Sequence, residues 1–138
     1  MANVSITPAG GAGATAASQA QMEAATDNTV MGTPANHQQH PSSPKVWGQV
    51  AGAGTSIAAS YNVGSITDVG TGVLTVTLTT NFSSTSYAIL SSFKTTVAEG
   101  FIFQQGTQAV DSFQLACTDT IGTPRDPAFY NFACFGDQ

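Results

Sequence analysis

The chain has 138 residues and a mass of 14.1 kDa, enough for one domain with a real core and too short for two ordinary ones. Only 8% of its residues are charged while 41% are hydrophobic, against a usual charged share of about a quarter, which indicates an uncharged surface rather than a disordered composition. The formal net charge is -5, and the bases Lys45, Lys94 and Arg125 stand far apart. Without a cationic cluster to displace counterions from phosphates, nucleic acid is not an expected partner.

Met1–Pro8 lacks the basic start and apolar run of a signal peptide, and no stretch approaches the ~18 apolar residues of a membrane span. The expectation is a chain made in the cytoplasm that does not insert into a membrane. Pro8–Ala16 is low-complexity Gly/Ala without an apolar face, so residues 1–17 read as an extended arm. In Ser18–Asp27, Ser18 and Gln21 form a capping-box pattern ahead of good helix formers. A helix of about ten residues is marginal alone, and its thin stripe of Met22 and Ala25 must pack on something.

Residues 28–44 carry Gly32, Pro34, Pro41 and Pro44, each a block to helix or central-strand pairing. This stretch reads as an ordered connector, with His37 and His40 inside it. From Lys45 onward the texture changes to short apolar or alternating runs: Lys45–Val50, Ser56–Val63, Val73–Thr79, Tyr87–Phe93, Phe101–Gln104, Ser112–Cys117 and Phe129–Phe135. Leu74, Val76 and Leu78 alternate with threonines, and Phe113, Leu115 and Cys117 alternate with Ser112, Gln114 and Ala116. Phe129–Phe135 is apolar on both faces, as a central or inter-subunit strand would be. The fold expected is all-β, an antiparallel sandwich of about seven strands over residues 45–138, preceded by the arm and one short helix.

Thr67–Gly72 reads as a Gly-rich turn between two strands; its one carboxylate, Asp68, is too few for calcium. His37 and His40 supply two metal ligands, and a symmetric trimer would triple that number by gathering three copies on one axis. The alternative is a pair of hydrogen-bonding histidines in an ordered connector. Neither accompanies a Gly-x-Ser-x-Gly elbow, and no spacing selects a catalytic pair from Glu23, Asp68, Glu99, Asp111 and Asp119. Cys117 and Cys134 fall in two late strands and are expected to be buried free thiols. Trp47, between Val46 and Val50, is expected to anchor the core at the start of the first strand, the alternative being an exposed platform for a sugar ring.

Gln19-Ala20-Gln21-Met22-Glu23-Ala24-Ala25-Thr26, Thr33-Pro34, His40-Pro41-Ser42 and Lys45-Val46-Trp47 follow one another in order. Gly52-Ala53-Gly54-Thr55 and Ser60-Tyr61-Asn62-Val63-Gly64-Ser65-Ile66-Thr67-Asp68-Val69-Gly70-Thr71-Gly72 come next. This string resembles a module of tailed-bacteriophage tail-fibre and related virion proteins, over Gln19 to about Phe93. Two departures stand out: an Arg and a Tyr of the family pattern are missing from Thr33–Pro41, and the module usually ends a longer fibre.

The resemblance implies a non-enzymatic virion protein, either a tail-fibre or receptor-binding subunit or a capsid decoration protein. It also implies assembly through the N-terminal segment as a homotrimer with other virion proteins, and a β-rich outer domain touching a host surface glycan. Met22, Glu23, Pro34, His40, Pro41 and Trp47 are the residues assigned to assembly, and no cofactor is expected. The competing readings are a carbohydrate-binding module using Trp47, Tyr61 or Tyr87, and a small hydrolase built around the histidines.

Overall fold

The structure, a computed structural model, describes residues 15–24, 26, 30–54, 56–95 and 100–138. The chain forms two compact units, Met1–His40 and Pro41–Gln138. Most of the expected arm, residues 1–14, lies outside the described residues, as do Ala25 and Asp27 of the expected helix and the candidate acid Glu99.

In the first unit the capping box forms: the Ser18 backbone N–H donates to Gln21 Oε1 at 2.9 Å, and the Gln21 N–H returns to Ser18 Oγ at 3.3 Å. It starts helix α1, Gln19–Ala24. A second helix, α2, is a single turn over Pro34–His37. Pro34 therefore opens a helix rather than blocking one, because at the first helical position its missing N–H has no intrahelical partner to lose. Thr33 caps it by accepting from the Asn36 N–H. Asn36 also donates to the Ala17 carbonyl, beside a parallel bridge in which Ala17 N–H reaches Met31 O and Met31 N–H reaches Thr15 O, both at 3.0 Å.

The second unit is a sandwich of two four-stranded antiparallel sheets. One has the order β2-β1-β8-β5 and the other β3-β4-β7-β6. The strands are β1 Val46–Ala51, β2 Ile57–Tyr61, β3 Val63–Gly70, β4 Val73–Leu78, β5 Ala88–Lys94, β6 Phe101–Gln108, β7 Ser112–Asp119 and β8 Phe129–Phe135. Four connections, β2→β3, β4→β5, β5→β6 and β7→β8, cross between the sheets. The apolar Phe129–Phe135 run is central, paired with β1 on one side and β5 on the other.

The eighth strand is the expected turn. Residues Thr67–Gly70 belong to β3, whose register puts Thr67 opposite Thr75, and only Thr71 and Gly72 turn the chain into β4. Asp68 Oδ1 accepts the Gly70 N–H at 2.9 Å, which ends the strand locally. The corner between β2 and β3 is Asn62, at φ 57. Its side chain bonds the Lys45 and Thr80 carbonyls and accepts the Thr80 N–H.

Alternation decides what the sandwich buries. Leu74, Val76, Phe113, Leu115 and Cys117 from one sheet meet Val46, Val50, Tyr130, Phe132 and Cys134 from the other, each large apolar group gaining about 1.5–3 kcal/mol on leaving water. The Phe113 and Phe132 rings meet edge to face across the layers at 5.3 Å. Gly48 makes room for Phe132, since a side chain there would lie 2.7 Å from the ring.

Candidate functional site

Residues alternate between the faces of a strand, so Trp47 cannot share a face with Val46 and Val50. Both valines are fully buried, and Trp47 points outward, 41% exposed. The expectation of a core anchor is corrected by this arrangement. The inner face of β1 is filled by two valines and by Phe132 over Gly48, which leaves the largest side chain of the strand for the solvent face.

Strand pairing then builds a row across the outer face. Trp47 lies opposite Tyr61 of β2 and opposite Ala133 of β8, and Ala133 lies opposite Leu90 of β5. Tyr61 is 41% and Leu90 62% exposed. A shallow depression of about 360 Å³ opens over β5 and β8, lined by Leu90, Ser91, Ser92, Asn131, Phe132 and Ala133.

The next row on the same face is polar. Gln49 Nε2 donates to Asn131 Oδ1 at 2.8 Å, and Asn131 Nδ2 donates to Ser92 Oγ at 3.4 Å. These two bonds engage one amide N–H and one oxygen lone pair of Asn131, out of two N–H groups and two lone pairs. Lys94, at the far end of β5, holds its ammonium 6.0 Å from the Phe129 ring centre.

Of the three aromatic platforms expected for sugar binding, Tyr61 and Trp47 are therefore neighbours, and Tyr87 is not one of them. Tyr87 is buried, stacked on Phe82 at 3.9 Å, and its hydroxyl donates to the carbonyls of Ala109 and Ser112. Burial, with Cys134 and Asp111 adding, pushes its phenol up to about 12. A tyrosine just before a strand gave no sign of its depth, because the loop it plugs is distant in sequence.

The expected assembly residues divide between the units. Met22 and His37 both border Gly32, where an added Cβ would meet His37 Nε2 at 3.4 Å and Met22 Cε at 3.9 Å. Glu23 is exposed and accepts from Gln19 Nε2. Pro34 is the first residue of α2, His40 is half-buried at the end of the first unit, and Pro41 is exposed at the start of the second. Among the described residues no three His, Cys, Asp or Glu side chains are grouped as metal ligands.

Several carboxylates of the sandwich bond nearby backbone or side chains. Asp111 accepts from Ser112 Oγ, and Asp126 Oδ1 accepts the Gly72 N–H at 2.5 Å. Asp119 accepts the Thr123 and Ile121 N–H groups and pairs with Arg125 at 3.3 Å. The Thr123 N–H is the main reason its carboxyl lies below the usual carboxylate range; the Ile121 N–H and Arg125 add to this, against desolvation. A second depression of about 260 Å³ lies beside it, lined by Gly100, Asp119, Thr120, Ile121 and Arg125. Cys117 and Cys134 are both buried free thiols, pushed up by burial to about 11 and about 12.

Comparison with protein-family models, curated proteins and solved structures gave no match. The reading of the site therefore rests on its residues. Ala133, Leu90, Gln49, Asn131 and Ser92 were not singled out from sequence; they lie in the runs Lys45–Val50, Tyr87–Phe93 and Phe129–Phe135 read as strands, and the last, apolar on both faces, gave no sign of which side faces out.

Proposed function

We propose that the chain is a non-enzymatic structural subunit of a bacteriophage virion, of the tail-fibre or receptor-binding type. It assembles through its N-terminal segment as a homotrimer and turns the β-sandwich outward as the contact surface. The observation that carries this reading is the outer face of the β2-β1-β8-β5 sheet, where Tyr61, Trp47 and Leu90 stand exposed in one row. Exposed aromatic side chains on a rigid sheet suit adhesion, and the ordered motifs from Gln19 to Gly72 resemble the phage module. Asp68, Asp119 and Asp126 accept backbone N–H groups of turns, which suits a structural rather than a catalytic role.

Light scattering on the purified chain, together with mass spectrometry of purified particles from cells that make it, tests the proposal. A mass three times that of the chain and the chain's peptides in the particles are expected. A stable monomer absent from particles contradicts it. A capsid decoration role is the alternative placement in the virion, distinguished by finding the chain on tailless heads.

A further inference from the structure

We propose that the row Tyr61–Trp47–Ala133–Leu90 and the polar row beside it form a binding site for a neutral, polyhydroxylated carbohydrate. The inference deepens the proposed function and rests on its claim that the sandwich is an outward contact surface.

Three features of the face select this ligand. First, Trp47 and Tyr61 are directly cross-strand and both exposed, so their rings offer apolar area to the C–H face of a sugar ring. Second, the methyl group of Ala133 lies in register between Trp47 and Leu90, two strand spacings or ~10 Å apart. It leaves a low floor beside the depression that Leu90, Ser92, Asn131 and Ala133 help to line. Third, the next row, Gln49–Asn131–Ser92, is a fixed chain of amides and hydroxyl whose remaining donors and acceptors match hydroxyl groups, which both donate and accept. Rings stacked on one row thus keep their hydroxyls against the next.

Charge decides between neutral and acidic glycans. Neither row contains an ionisable group other than the Tyr61 phenol, and Lys94 lies beyond them against Phe129. A carboxylated or sulfated sugar seated on these rows would lose hydration, while the cation of this face, Lys94, stands over the Phe129 ring one residue repeat beyond Ser92. Size decides between a glycan and a second copy of the chain. The apolar row spans four strands and one residue repeat, roughly 19 Å by 7 Å or ~130 Å²; a polar row bounds it on one side, and on the other Ala88 opposite the half-buried Phe135 brings the apolar area to roughly 200 Å². A stable protein interface needs about 800 Å² per partner.

The test uses the full chain on an array of neutral hexose and N-acetylhexosamine oligosaccharides, with sialylated and uronic-acid glycans as the charged arm. Hits are titrated calorimetrically against wild type, Trp47→Ala and Ala133→Leu. The second variant fills the floor without removing an aromatic ring. Binding to neutral glycans, weakened about tenfold or more by each variant while the chain stays cooperatively folded at the assay temperature and its molar mass is unchanged, is the expected result; tenfold corresponds to ~1.4 kcal/mol, within the range of one aromatic contact.

The proposal is overturned by an empty array, by binding confined to acidic glycans, or by binding that neither variant weakens. It is also overturned if Trp47→Ala changes the molar mass, which would show that a second copy covers the face. An empty array with the chain present in particles removes the glycan site and keeps the virion reading. Neutral-glycan binding by a chain absent from particles does the reverse.

Discussion

Gly72 sits at φ +76, and a Cβ there would lie 2.4 Å from the Cys117 carbonyl oxygen. Its own carbonyl accepts from Cys117 N–H and from the buried Tyr130 hydroxyl, both at 2.8 Å. Gly72→Ala combines left-handed strain with a clash against backbone, and should destabilise the sandwich by about 2 kcal/mol or more in a denaturant titration. Trp47 and Leu115 give the contrast that tests which face is which. Trp47→Ala removes an exposed cross-strand pair with Tyr61, worth at most about 1 kcal/mol, whereas Leu115→Ala empties a fully buried site and should cost about 2–5 kcal/mol. Equal losses in the same titration would place Trp47 in the core after all. The thiols report the core from another side: Cys117 and Cys134 are buried with raised pKa values, so Ellman's reagent at pH 8 should label neither until the chain is unfolded. Rapid labelling of a native thiol would contradict the packing. Trp47 also shows the limit of residue-by-residue reading, since a lone tryptophan favours burial and only the alternation of its strand reverses that preference.

At the level of elements, periodicity carried the strands whose two faces differ. Val73–Leu78 and Ser112–Asp119 alternate cleanly, and β8 occupies the very residues expected of it. The capping box placed the start of α1 because its signal is local, a side chain bonding a backbone group three residues away. β3 was hidden because Asp68, Gly70 and mostly exposed side chains give it the composition of a turn; its strand character comes from pairing with β4, a tertiary effect. The loop after β7 was equally opaque. Asp119 organises it through the Thr123 and Ile121 N–H groups, with Arg125 alongside, and those contacts lower its pKa. A lowered folded pKa means stability present above the unfolded value of about 3.9 and lost as pH falls through the folded value. Wild type should therefore exceed Asp119→Asn in stability at pH 7, with the gap closing below about pH 4. A gap that stays constant down to pH 2 would show that the carboxylate charge is not what holds the loop.

For the whole molecule, low charge and repeated short apolar runs were enough to indicate an antiparallel sandwich, since few other folds bury so many alternating strands. The order of strands within the sheets was not legible, because the four crossings between layers depend on long-range pairing. The candidate site shares that fate: Tyr61, Trp47, Ala133 and Leu90 are scattered from position 47 to position 133 and become one row only through register. The proposed virion reading belongs to this scale too, because it joins the motifs of Gln19–Gly72 to a sandwich that displays Tyr61, Trp47 and Leu90 in one exposed row. A reconstruction of intact particles purified from cells that make the chain tests it most directly. The account predicts threefold-symmetric density that fits the sandwich, with the Trp47 face turned away from the particle; particles whose density and protein content exclude the chain would contradict it.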